Sequence, residues 1–158
     1  MENLTDLGLK QNSNQELAGK LNELLANYHI YYQNLRSFHW NISGVNFFQL
    51  HAKFEELYTG ALTKIDEIAE RILTLGHTPL HTFTDYVRVS SIEECRDMTG
   101  DRETIGAALD NISRIIQLER LILKLAGESS DEGTLGLISS DINEQEKTHW
   151  MLRAFLKG

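Results

Sequence analysis

Apolar residues recur at steps of three and four along most of this chain. Leu17, Leu21, Leu24, Tyr28, Tyr31, Leu35 and Phe38 fall on one helical face, and Asn41-Ile42-Ser43-Gly44 interrupts the pattern. The clearest stretch follows at 46–75. Phe47, Leu50, Phe54, Leu57, Ala61, Ile65, Ile68 and Ile72 make an unbroken stripe, and Tyr58, Leu62, Ala69 and Leu73 widen it. A stripe that wide predicts an element covered on more than one side. Gly76, with Pro79 beyond it, predicts the stop. Ile105, Ala108, Leu109, Ile112, Ile115, Ile116, Leu123 and Ala126 predict a third long helix capped by Asp101. A last helix is predicted over 134–156, with Leu135, Ile138, Ile142, Leu152 and Phe155 inward.

Residues 77–100 lack a simple period. Ser90-Ser91-Ile92-Glu93-Glu94 reads as a serine cap followed by first-turn carboxylates, which predicts a short helix there. Residues 1–13 read as a mobile polar tail and 14–158 as one helical domain. Short links make helices one and two, and helices three and four, antiparallel neighbours. The long link can run the length of the bundle and make the second and third helices parallel. Among four-helix bundles that is the ferritin-like topology, so the expected fold is all-α.

Composition narrows the function. At 158 residues the chain is most simply one domain able to bury a sizeable core. The formal net charge of −8 opposes nonspecific nucleic-acid binding, which draws on Lys and Arg, and is compatible with attracting cations. The single cysteine, Cys95, excludes an internal disulfide framework and suits a reducing compartment such as the cytoplasm. No apolar run approaches the ~20 residues of a membrane span. Met1-Glu2-Asn3-Leu4-Thr5-Asp6 lacks the basic and apolar regions of a secretory signal.

Candidate chemistry lies on the first two helices. Asp66 and Glu70 project from one face about 40° apart. Carboxylates combined with imidazoles such as His39 and His51 suit Fe(II), Mn(II) or Zn(II). Each residue has a plain alternative: a solvated acidic face, a hydrogen-bonded core histidine, a helix-end dipole contact. His51 and Asp66 are 15 residues apart on one helix, roughly 22 Å, and ligands of one ion sit about 2 Å from it. They cannot share a metal within one copy. Either the set is a coincidence, or two copies pair antiparallel and build the site between them. Glu55, four residues after His51, shares its face.

Three segments carry a family resemblance: Phe38-His39-Trp40; Gly44-x-x-Phe47-x-x-Leu50-His51; and Asp66-x-x-Ala69-Glu70-Arg71 with Leu75-Gly76. With His–His, His–Asp and Asp–Glu spacings of 12, 15 and 4, the chain resembles Dps, the twelve-subunit mini-ferritins of bacteria, through to Lys147-x-x-Trp150-Met151-Leu152. The resemblance implies a ferroxidase centre at each two-fold interface of a homododecamer. His39, His51 and Glu55 would come from one subunit, and Asp66 and Glu70 from the other. The family usually has Asp where this chain has Glu55. Trp40 would sit beside the centre, either intercepting radicals or packing the interface. Asp131 and Glu132 would lie near iron-admitting pores, or simply serve a helix N-terminus; a further pore acid of many relatives is Gly136 here.

The implied function is Fe(II) oxidation by hydrogen peroxide, or less efficiently dioxygen, with Fe(III) stored inside the shell against oxidative damage. DNA binding is expected to be weak or absent. Residues 1–13 carry one basic residue, Lys10, against Glu2 and Asp6, and Leu156-Lys157-Gly158 adds no basic run. One rival is a larger ferritin or di-iron bundle oxidase with its site inside one subunit. That needs two Glu-x-x-His units, and Glu146-x-x-His149 is the one evident. The other is a helical structural protein without metal chemistry. His29, His77 and His81 are assigned no role.

Overall fold

The computed structural model describes residues 3–158. Met1 and Glu2, part of the expected tail, lie outside the described residues. The elements are α1 (Gln11–Asn41), α2 (Phe47–Thr74), α3 (Phe83–Val89), α4 (Asp101–Glu128) and α5 (Glu132–Leu156). The all-α, ferritin-like expectation holds, with a short helix in the crossover. Leu17, Leu21, Leu24, Phe38, Phe54, Ile68, Ile72, Ile105, Ile112, Ile115 and Ile138 meet in the core, each almost fully buried.

Helix directions follow from contacts at the ends. Asn46, before α2, donates to Asp101 at the start of α4 at 2.7 Å. At the other end of α2, Arg71 donates to Asp131 and Thr134 at the start of α5. So α2 and α4 run parallel, and α2 and α5 antiparallel.

The crossover is held by asparagines on α1. Asn14 donates to Leu75 O at 2.9 Å. Asn22 accepts from Leu80 N at 2.8 Å. Asn27 accepts from Ser90 Oγ and Ser91 N, both at 2.9 Å. Asn34 accepts from Cys95 N at 2.8 Å and donates to Glu93 O at 3.0 Å. As α1 advances, its partners advance too, so the link runs alongside α1 from one end of the bundle to the other. Its backbone groups are satisfied by side chains, which explains why an ordered segment shows no apolar period.

Several expected boundaries move. The short helix precedes Ser90 rather than following it. Thr82 caps it by accepting from Asp85 N at 3.2 Å, while the Ser90 hydroxyl is taken up by Asn27 and Ile92 O. Gly100, not Asp101, occupies the N-cap of α4. Glu103 reaches back to accept from Thr99 N and Gly100 N at 2.7 and 3.0 Å, and the Asp101 carboxylate goes instead to Arg102 N and Asn46. Helix α1 begins at Gln11 after a hydrogen-bonded turn, in which Thr5 N donates to Leu9 O and Gln11 N to Asn3 O. Gly76, at φ 84°, closes α2 by donating to Leu73 O at 2.9 Å, a backbone shape that favours glycine.

Candidate functional site

The turn between α1 and α2 folds His39 back against His51. Their rings stack with centroids 3.8 Å apart and 15° between planes. His39 Nδ1 lies 2.6 Å from His51 O, and His51 Nδ1 lies 2.8 Å from His39 O. A carbonyl oxygen only accepts, so each Nδ1 must carry the proton and donate. In the neutral rings that leaves both Nε2 lone pairs free, the orienting arrangement found behind metal-ligating imidazoles. Phe47 stacks on His51 with centroids 5.1 Å apart, and Tyr58 packs edge-on to His39 at 5.3 Å. Tyr58 enters this shell unanticipated; its place seven residues after His51 on α2 was the available signal.

The acids stand elsewhere. Glu55, Asp66 and Glu70 are exposed side chains of α2. Asp66 and Glu70 share an outward face with Leu62 and Leu73, which are 51% and 58% exposed. The sequence stripe put both leucines under cover; within one protomer each stays about half exposed. Among the described residues, no three His, Cys, Asp or Glu side chains gather into a metal-holding group. Trp40, beside His39, is 58% exposed, and the Arg36 guanidinium lies 4.8 Å from its ring centroid.

The two pore candidates part company. Glu132 is exposed, but Asp131 is buried and turned inward. Its Oδ1 accepts from Arg71 Nη2 at 2.6 Å and Thr134 N at 2.9 Å, and its Oδ2 accepts from Thr134 Oγ1 at 2.6 Å. It caps α5 and ties it to α2. Gly133 leaves room for this clamp, because a Cβ there would stand 2.7 Å from Arg71 Nη2. Glu146, of the rival Glu-x-x-His unit, is exposed and pairs with Arg120. His29 stacks on Tyr86 with centroids 3.7 Å apart.

The bundle interior holds polar groups that periodicity alone missed. Lys64 donates to Asp141 at 2.8 Å and Glu144 at 2.9 Å. Tyr28 donates to Glu119 at 2.8 Å and accepts from Gln145 at 2.9 Å. Burial pushes Glu119 up to about 8 despite the Tyr28 hydrogen bond. Burial also raises Asp141, against the pull of Lys64. Burial opposes the charge of Lys64, yet its two carboxylate partners hold it above the ordinary lysine value. Among the described residues, no helix is long and apolar enough to cross a membrane.

The architecture and the outward acids define a ferritin-like four-helix protein, and the sequence model of the ferritin-like domain matches residues 18–158. The DPS protein of Vibrio cholerae O1, described as a member of a broad superfamily of ferritin-like diiron-carboxylate proteins, superposes with a TM-score of 0.95. It is 49% identical, over 97% of this chain and 96% of that one. A Dps protein of Bacillus brevis superposes at 0.90 with 36% identity, over 93% and 99%. The DNA protection during starvation protein of Porphyromonas gingivalis is 40% identical over 94% of this chain and 93% of its own length. The chain belongs to the Dps family.

Proposed function

We propose that this protein is an iron-oxidising and iron-storing mini-ferritin, with ferroxidase sites assembled between antiparallel copies. His39, His51 and Glu55 of one copy would face Asp66 and Glu70 of the second. The observation that carries this reading is the split donor set. Two imidazoles are fixed with Nε2 free, while two carboxylates stand on an exposed face bordered by half-exposed Leu62 and Leu73. Exposed apolar residues around acids on a helix call for a covering partner. Two imidazoles with two or three carboxylates suit Fe(II), and divalent Zn or Mn fits the same donors.

The substrate is Fe(II), and the preferred oxidant is hydrogen peroxide. Two Fe(II) ions, one peroxide and two protons give two Fe(III) ions and two waters. Taking both electrons together avoids one-electron cleavage to hydroxyl radical. Imidazole helps hold Fe(II), and carboxylate oxygen favours the harder Fe(III). Storage of the oxidised iron requires a closed shell of twelve copies, since one 158-residue bundle encloses no such space. Trp40, exposed beside His39, is a candidate radical trap or an interface packing residue. Of the pore candidates, Glu132 alone presents an exposed carboxylate. A cytoplasmic location suits the free Cys95. Binding to DNA is weak on this reading because the net charge is −8.

The test replaces Asp66 and Glu70 by Ala and follows peroxide-dependent Fe(II) oxidation by absorbance. Rapid oxidation should vanish while helical content stays. Unchanged kinetics would sink the assignment. A solution mass of twelve chains fits the shell, and a monomer refutes it.

A further inference from the structure

An unbroken series of ring contacts leads away from His39. Tyr58 of α2 meets the His39 ring edge-on with centroids 5.3 Å apart, and Tyr32 of α1 meets Tyr58 edge-on at 5.9 Å. His39 in turn stacks on His51 at 3.8 Å. Tyr32, Arg36 and Trp40 follow at steps of four on α1, which puts them on one face. The Arg36 guanidinium carbon lies 5.2 Å from the Tyr32 ring centroid and 4.8 Å from that of Trp40, within cation–π range of both. Trp40 follows His39 directly in the chain, but neighbours on a helix point about 100° apart. Adjacency in sequence therefore does not turn the indole toward the imidazole. Phe47, stacked on His51, has no hydroxyl to lose.

We infer that Tyr58 is an electron donor to hydrogen peroxide at the His39–His51 pair, that Tyr32 is the next station for the radical, and that Arg36 makes Trp40 the poorer donor. The inference rests on the proposed function, in which iron binds at the free Nε2 atoms. Iron loads one ion at a time, so a site with a single Fe(II) meets peroxide. One Fe(II) gives one electron, and peroxide takes two. With the phenol as second donor, Fe(II), Tyr58, one hydrogen peroxide and one proton give Fe(III), a neutral Tyr58 phenoxyl radical and two waters. The O–O bond breaks, iron and phenol each lose one electron, and the phenolic proton ends in water. Without the phenol, the one-electron product is hydroxyl radical. An electron and a proton passed from Tyr32 to Tyr58 move the radical one ring contact along the series. A later Fe(II) and a proton restore the phenol, so two Fe(II) are still consumed per peroxide. An indole loses its electron first and becomes a cation, which the Arg36 charge over the Trp40 ring opposes. A phenol loses electron and proton together and ends neutral, so the same charge over Tyr32 opposes it less. Tyr58 is also half-buried, whereas Trp40 is 58% exposed, so the radical starts screened from solvent.

The test loads the assembled protein anaerobically with one Fe(II) per chain, adds peroxide and freezes the sample for electron paramagnetic resonance. A tyrosyl signal should form and should narrow when ring-deuterated tyrosine is incorporated. Tyr58→Phe keeps a ring against His39 and removes only the hydroxyl. It should lose the signal and raise the hydroxyl-radical adduct of a spin trap, with the Fe(II) bound per chain unchanged. Trp40→Phe should keep the tyrosyl signal. A tyrosyl signal that survives Tyr58→Phe overturns the inference, as does a tryptophanyl signal in the parent that Trp40→Phe removes. Rapid Fe(II) oxidation with no protein radical overturns it too. Should Tyr58→Phe fail to assemble, radical adducts on the parent, mapped by mass spectrometry, should fall on Tyr58 or Tyr32; adducts confined to Trp40 are equally decisive against it. Failure of the proposed function appears separately, as a parent that does not oxidise Fe(II) at all, and the role of Tyr58 falls with it.

Discussion

The proton held by Glu119 makes stability depend on pH in a direction opposite to that of most carboxylates. Glu119 is fully buried, and burial raises it from its ordinary 4.5 to about 8. The folded chain therefore keeps a proton that the unfolded chain releases across this window. Where the folded state binds more protons, raising the pH lowers stability, by about 1.4 kcal/mol per unit for one group. From about pH 5.5 to about pH 7.5 the contribution lost is about 3 kcal/mol. Above about 8, where both states are ionised, the slope from this group vanishes. The substitution Glu119→Gln removes the titration and keeps an oxygen to accept from Tyr28, whose hydroxyl is 2.8 Å away. Its amide N–H groups occupy the position of the unpartnered Oε2, at a cost of about 1–3 kcal/mol unless they reach an acceptor such as Asp141. The variant should thus lie within about 2 kcal/mol of the parent at neutral pH. Urea unfolding followed by circular dichroism across this range gives the slopes. Over this range the parent should lose about 3 kcal/mol more than the variant. Parallel slopes would refute a protonated Glu119 in the core.

Other perturbations reach different parts of the fold. Asp131→Ala leaves the Arg71 guanidinium without its buried partner and uncaps α5; a loss of about 3 kcal/mol and a Tm lower by roughly 6–12 °C are expected by calorimetry. His29 is lowered to about 4 by burial, so its contribution fades as pH falls from its ordinary 6.5 toward 4. Partial exposure limits this to about 1–2 kcal/mol, and His29→Phe should flatten the acid limb of the unfolding curve. A gel shift at physiological salt should show little retained DNA; tight complexes would contradict the charge argument.

Much of the fold was legible because periodicity reports burial directly. A residue such as Leu21 or Ile72 is apolar for the same reason that it faces the core. The crossover was harder to read. Its order comes from Asn14, Asn22, Asn27 and Asn34, whose partners lie 58 to 64 residues away, and hydrogen bonds of that range leave no local period. Ser90 illustrates the ambiguity: the same hydroxyl suits a helix cap or a long-range partner, and Asn27 decides between them. At the candidate site, the hairpin that joins His39 to His51 could be anticipated from turn residues. The reciprocal Nδ1 hydrogen bonds that free both Nε2 atoms could not.

The sequence by itself determined five things: an all-α bundle, its crossover, its family, the ligand-type residues, and the impossibility of joining His51 and Asp66 on one ion within one chain. The family came from a resemblance carried by matched motifs; the others follow from helical geometry or from residue type, which are local properties. Tertiary structure alone decided which charges are solvated and which are spent inside. Asp131 became a buried cap rather than an exposed acid, and Lys64 and Glu119 turned inward while Asp66 and Glu70 stayed outside. An acid on a helix looks the same in sequence whether it faces water, a second copy or an ammonium ion. Only the packing of neighbouring helices sets its surroundings, and those surroundings set its chemistry.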